Sequence, residues 1–207
     1  GLTVAGNVSV DGGTIKLDGN YPTGTDNVAL GNTAFDAVTS GIQNTAIGAN
    51  SMTANTSGTN NSAVGRSSLA ANTTGIELTA LGTNSLAVST TGSYNTALGS
   101  SALVSNTTAS NNTAVGYQAG YSNTTGTITA FGKTAGYSAT TATNNSIFGV
   151  EANYYTTTGS ENSSFGYNAG ALTTTGSNNT ALGSQALRSN TTAASNTAVG
   201  YRAAYSN

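Results

Sequence analysis

Asn44-Thr45-Ala46-Ile47-Gly48 sets the frame for the whole chain, because it returns as Asn61-Ser62-Ala63-Val64-Gly65, then as Leu78-Thr79-Ala80-Leu81-Gly82, and onward to Asn196-Thr197-Ala198-Val199-Gly200. With Asn27-Val28-Ala29-Leu30-Gly31 ahead of it, the segment ends on eleven glycines: Gly31, Gly48, Gly65, Gly82, Gly99, Gly116, Gly132, Gly149, Gly166, Gly183 and Gly200. Nine of the ten spacings between them are 17 residues, and one, from Gly116 to Gly132, is 16. A short fixed period marks a stacked-repeat architecture in which each repeat is one structural unit.

With that glycine as position 0, position −1 is apolar in every copy: Leu30, Ile47, Val64, Leu81, Leu98, Val115, Phe131, Phe148, Phe165, Leu182 and Val199. This column is expected to be the core of the repeat. Position +3 is always Ala or Ser, and position −2 is small except at Ile147. Position −4 is Asn except at Leu78 and Ile128, and position +8 is Thr in every complete repeat from Thr39 to Thr191. Seventeen residues suit one coil of two short strands and two corners, with glycines at 0 and at +10 allowing the corners to turn. Identical coils stacked about 4.8 Å apart pair each strand with its copies above and below. The fold class expected is therefore all-β, a parallel β-solenoid of eleven coils over 27–207, preceded at 1–26 by two alternating strands around Asp11-Gly12-Gly13 that form a hairpin-like lead-in or cap.

Composition narrows the function. Only five basic and seven acidic residues occur among 207, with 27 glycines and no Cys or His. Disulfides, thiolate or imidazole metal sites and His-based catalysis are thereby excluded. The basic residues Lys16, Arg66, Lys133, Arg188 and Arg202 are too scattered to neutralise a phosphate backbone, so no nucleic-acid partner is expected. No apolar run reaches the length of a membrane span. Seven scattered carboxylates offer no acid–base pair and no oxygen cluster for calcium. The expectation is a non-enzyme with no catalytic residue, metal or cofactor.

Each coil has too little apolar area to offset the ordering of its residues, so burial against further copies is expected. Small residues at −2 and +3 would let chains approach closely, and a parallel homotrimer with those columns near its axis follows. Position +4 is Phe, Met or Leu in six coils, while Gly120, Gly136, Asn153 and Ala204 are each followed by Tyr. That covariation is read as a ring conserving packed volume.

The Asn-Thr-Ala-apolar-Gly coils resemble the head repeats of trimeric autotransporter adhesins. They are more similar to the repeat arrays of tail-fibre and structural proteins of marine phages and cyanophages, whose opening also resembles Leu2-Thr3-Val4-Ala5-Gly6-Asn7-Val8-Ser9-Val10. Autotransporter coils are shorter, with an apolar residue where this chain has Thr or Ser at −3. An intertwined triple β-helix is a second arrangement open to the sequence. The resemblance implies a structural fibre shaft on a virion, partnered by its own copies and by neighbouring fibre or baseplate proteins. An alternative is a bacterial-surface or extracellular adhesin whose solenoid face binds host glycan or protein, with Tyr117, Tyr167 and Tyr201 at +1 as candidate sugar contacts. Ice binding through the Thr39 to Thr191 column is a third reading, although adjacent Thr-Thr pairs point to opposite faces.

Overall fold

A computed structural model describes residues 26–206, so the lead-in expected at 1–26 lies almost wholly outside the described residues. Eleven short strands follow one another: β1 Val28–Leu30, β2 Thr45–Ile47, β3 Ser62–Val64, β4 Thr79–Leu81, β5 Thr96–Leu98, β6 Thr113–Val115, β7 Ile128–Phe131, β8 Asn145–Phe148, β9 Ser163–Phe165, β10 Thr180–Leu182 and β11 Thr197–Val199. They form one sheet in chain order, every pair parallel. Register follows the sequence period: Thr96 pairs with Thr113 and Ala97 with Ala114, whereas Thr113 pairs with Thr129 across the one shorter coil. The chain is a β-solenoid. Adjacent strands belong to successive coils of one chain.

Each coil contains one strand rather than the two expected. Non-glycine residues at +2 and +4 adopt positive φ, as at Asn50 (59°) and Met52 (48°), and a residue at +12 does the same, as at Asn60 (58°). Left-handed residues every few positions interrupt an extended run. Two tight turns replace the second strand: the Ser51 N–H donates to the Gly48 carbonyl at 3.2 Å, and the Asn55 N–H to that of Met52 at 3.1 Å. Backbone pairing between coils continues regardless. The N–H groups of Met52, Ala54 and Thr56 donate to Ser68, Ala70 and Thr73 one coil on, each at 3.0 Å.

Gly at position 0 is required twice over. Its φ runs from 122° to 145°, and a Cβ on Gly48 would sit 2.6 Å from the carbonyl of Gly65 in the next coil.

The interior reverses the expected parity. Within each strand the −2 residue faces the lumen while −3 and −1 face out. Ala46, Ala63, Ala97, Ala114 and Ala130 are fully buried at −2 and meet the buried +4 residues Met52, Leu69, Leu86 and Leu103 from the opposite wall. The −1 column expected as core instead lies on the outer face: Leu30, Leu81, Phe131, Phe165, Leu182 and Val199 are exposed, and Ile47, Val64, Leu98, Val115 and Phe148 are half-buried. A 17-residue coil is narrow, so alanine on one wall leaves room for leucine from the other. The −2 and +3 columns line each chain's own lumen rather than an axis between chains.

Candidate functional site

Polar and aromatic ladders run along the solenoid, each built from a repeated sequence position.

The −4 asparagines form an internal ladder. Asn44 Oδ1 accepts the backbone N–H of Asn61 at 3.0 Å, and Asn44 Nδ2 donates to the Gly58 carbonyl at 2.9 Å. The pattern repeats where Asn162 is bonded to Asn145 Oδ1 at 2.8 Å and donates to the Gly176 carbonyl at 2.9 Å. These amides satisfy corner groups that no strand pairs, which buried backbone requires. At Leu78 and Ile128 the backbone N–H is still held, by Asn61 Oδ1 and Asn112 Oδ1 respectively.

A second asparagine column at +7 was not singled out in the sequence. Asn72, Asn106 and Asn123 are buried and accept the N–H of Gly75, Ala109 and Gly126 three residues on, fixing the +10 corner. Its signal was visible as Asn55, Asn72, Asn106, Asn123 and Asn190 at one spacing. Where Ser89 and Thr156 occupy this column, their hydroxyls are buried without a partner, because the shorter side chains cannot reach across the corner.

The invariant +8 threonines are structural. Thr56 Oγ1 donates to the Thr73 carbonyl at 3.0 Å and Thr73 Oγ1 to that of Thr90 at 3.1 Å, and the series ends at Thr174 on Thr191.

Volume in the lumen is conserved, but by residues other than those expected. Where +4 is Gly120, the space is filled by Ile128, whose Cδ1 stands 2.7 Å from a would-be Cβ, and Ile147 does the same beside Gly136 at 2.9 Å. Ile147, the exception in the small-residue column, and Ile128, one of two exceptions in the asparagine column, are thus core fillers. Tyr121, Tyr137 and Tyr154 lie half-buried on the outside instead and stack on one another with ring centroids 4.9 Å apart. Tyr155 packs edge-on against Tyr154 at 4.7 Å. Burial, and then Tyr137, Tyr155 and Glu151, raises the Tyr154 phenol above its ordinary value and keeps it a hydrogen-bond donor.

The apolar core is broken once. Buried residues from Ala34 to Ala152 form one cluster and those from Ala169 to Ala198 another. Between them Asn153 Oδ1 accepts the Ser164 hydroxyl at 2.7 Å while Asn153 Nδ2 has no partner.

Tyr117, Tyr167 and Tyr201 are exposed, but Lys133 and Val150 separate the first two and Ser184 the last two in the +1 column. The structure does not bring these candidate sugar contacts together. Glu151 and Glu161 stand at different corners, +2 and +12, and among the described residues no three metal-ligating side chains gather and no helix is long and apolar enough to cross a membrane.

On the outer face of the sheet, columns −3 and −1 carry hydroxyl and apolar side chains and no charge in any of the eleven coils. Phe131, Phe148 and Phe165 stack along it at 4.9 Å. Comparison of the chain with protein-family models, with curated proteins and with solved structures found no match.

Proposed function

We propose that the chain is a shaft segment of a virion fibre, in which three parallel copies join along their −1 columns and hold a receptor-binding tip away from the particle. The observation that carries this reading is the uncharged outer face of an eleven-stranded parallel sheet, with an apolar column running its whole length. Parallel sheets are almost always covered on both faces. Here one face is covered by the chain's own lumen, and the other offers a stripe about 50 Å long at the usual strand spacing. Exposed apolar surface of that extent marks an interaction site.

The repeated ladders suit a mechanical role. Successive coils are bonded through backbone and the +8 threonines, with asparagine side chains adding bonds in most of them, which suits a rod that resists bending. The resemblance of the coils to phage tail-fibre arrays supports placement on a virion, with neighbouring fibre or baseplate proteins at the shaft's ends.

The test is the solution mass of the purified chain by multi-angle light scattering, with electron micrographs of the same sample. Rods of three chains are the expected result. A folded monomer at every concentration would overturn the reading.

A further inference from the structure

The tyrosine ladder at position +5 has one rung missing. Tyr121, Tyr137 and Tyr154 stack at 4.9 Å with planes within 11° of parallel. The next coil carries Ala171 at this position, and the one after carries Arg188, which is followed by Tyr205. A ring face and a guanidinium therefore flank an alanine floor across two coil spacings. Ala70 and Ala87 also occupy +5, but Thr53 and Val104 beyond them supply no flat walls. The opening at Ala171 is a cleft of about 290 Å³, lined also by Tyr155 and Leu172, with Glu151 and Asn168 as its carboxylate and amide.

We propose that this slot binds one neutral hexopyranose ring, its C–H face against Tyr154 and its hydroxyls on Glu151 and Asn168. Size is the first argument, since the cleft lies at the small end of ligand sites and suits a single ring. Chemistry is the second. An aromatic hydrocarbon would leave the Glu151 carboxylate and the Asn168 amide without hydrogen-bond partners in the ligand, whereas a sugar presents an apolar face and polar edges together. Glu151 and Arg188 carry opposite charges, so the walls give an anionic sugar no net attraction. Arg188 also keeps an N–H in reserve: Nη1 donates to Tyr205 Oη at 3.2 Å, while its buried Nε has no acceptor among the described residues. A raised Tyr154 pKa keeps its phenol protonated and able to donate.

The slot lies outside the −1 and −3 columns and needs no second chain, so its failure would leave the shaft reading untouched. Saturation-transfer difference NMR on the 207-residue chain tests it with methyl α-glucopyranoside, methyl α-galactopyranoside, methyl α-mannopyranoside and p-cresol as probes. Transfer to the ring C–H protons of at least one pyranoside is expected. That transfer is lost in Ala171→Tyr, which restores the missing rung, and in Tyr154→Ala, which removes a wall. Ala171→Tyr extends the existing stack and keeps or raises the melting temperature, so loss of binding there is not loss of fold. Three outcomes would overturn the proposal: no transfer to any pyranoside, transfer to p-cresol alone, or undiminished transfer in Ala171→Tyr.

Discussion

Replacing Asn153 with Leu and Ser164 with Ala together is expected to stabilise the solenoid. In the native chain Asn153 Nδ2 is buried without a partner, and such a group costs about 1–3 kcal/mol. A leucine at +4 would bury apolar surface worth about 1.5–3 kcal/mol. Against this stands the hydrogen bond between Ser164 and Asn153, worth about 1 kcal/mol. The net is a gain of about 2–4 kcal/mol, or roughly 5–10 °C in Tm for a chain of this size. Space is available, because leucine has nearly the shape of the asparagine it replaces, and Asn153 Oδ1 already reaches into the room left by Gly170 at the neighbouring +4 position. The backbone is ready too: Asn153 has φ 47°, close to the 50° of Leu69. The assay is thermal unfolding followed by circular dichroism, with both single variants beside the double. Ser164→Ala alone removes the only partner of Asn153 Oδ1 and should lower stability by about 1–3 kcal/mol. A double variant no more stable than the native chain would refute the view that Asn153 and Ser164 interrupt one continuous core.

Three further outcomes follow from the ladders. Gly99→Ala forces a Cβ at φ 137° onto the Gly116 carbonyl oxygen of the next coil and should cost about 3 kcal/mol or more in chemical denaturation. Asn61→Ala strands the Leu78 N–H, held at 2.9 Å, and leaves the Gly75 carbonyl with Asn72 Nδ2 at 3.2 Å, and should lower stability by about 1–3 kcal/mol in the same assay. Because Tyr154 holds its proton more tightly folded than unfolded, its contribution is complete below the ordinary tyrosine pKa of about 10 and is lost as pH rises through the folded value; Tyr154→Phe should flatten the alkaline fall in melting temperature.

The period, the parallel register and the need for glycine at position 0 were legible in the sequence, since each depends only on identical residues recurring at one spacing. Which face of the strand points inward was not. Counting apolar residues favours Leu30 to Val199 as core, but the corners decide otherwise. Asn at −4 must enter the lumen to bond unpaired backbone, and in a strand −4 and −2 share a face, so alanine follows asparagine inside and the larger residues turn out. The same reasoning accounts for Ile128 and Ile147, which read as lapses from the repeat and instead fill the space left by Gly120 and Gly136. The second strand was unreadable because leucine at positive φ is a conformation that local preference argues against; the stack imposes it by burying that side chain. The tyrosine ladder could be seen as a covariation, but its gap at Ala171 acquires meaning only once Arg188 is known to stand beyond it.

The inward turn of −2 and the outward turn of −1 is tested most directly by thiol labelling, for which a chain without cysteine is well suited. Ala97→Cys and Leu98→Cys differ by one position on β5, with Ala97 fully buried and Leu98 half-buried. The thiol at position 97 should resist a maleimide reagent whatever the assembly state, while that at position 98 should react in the single chain and become protected on self-association. Rapid labelling at position 97 in chains whose circular dichroism is native would contradict the inside-out assignment of the strand.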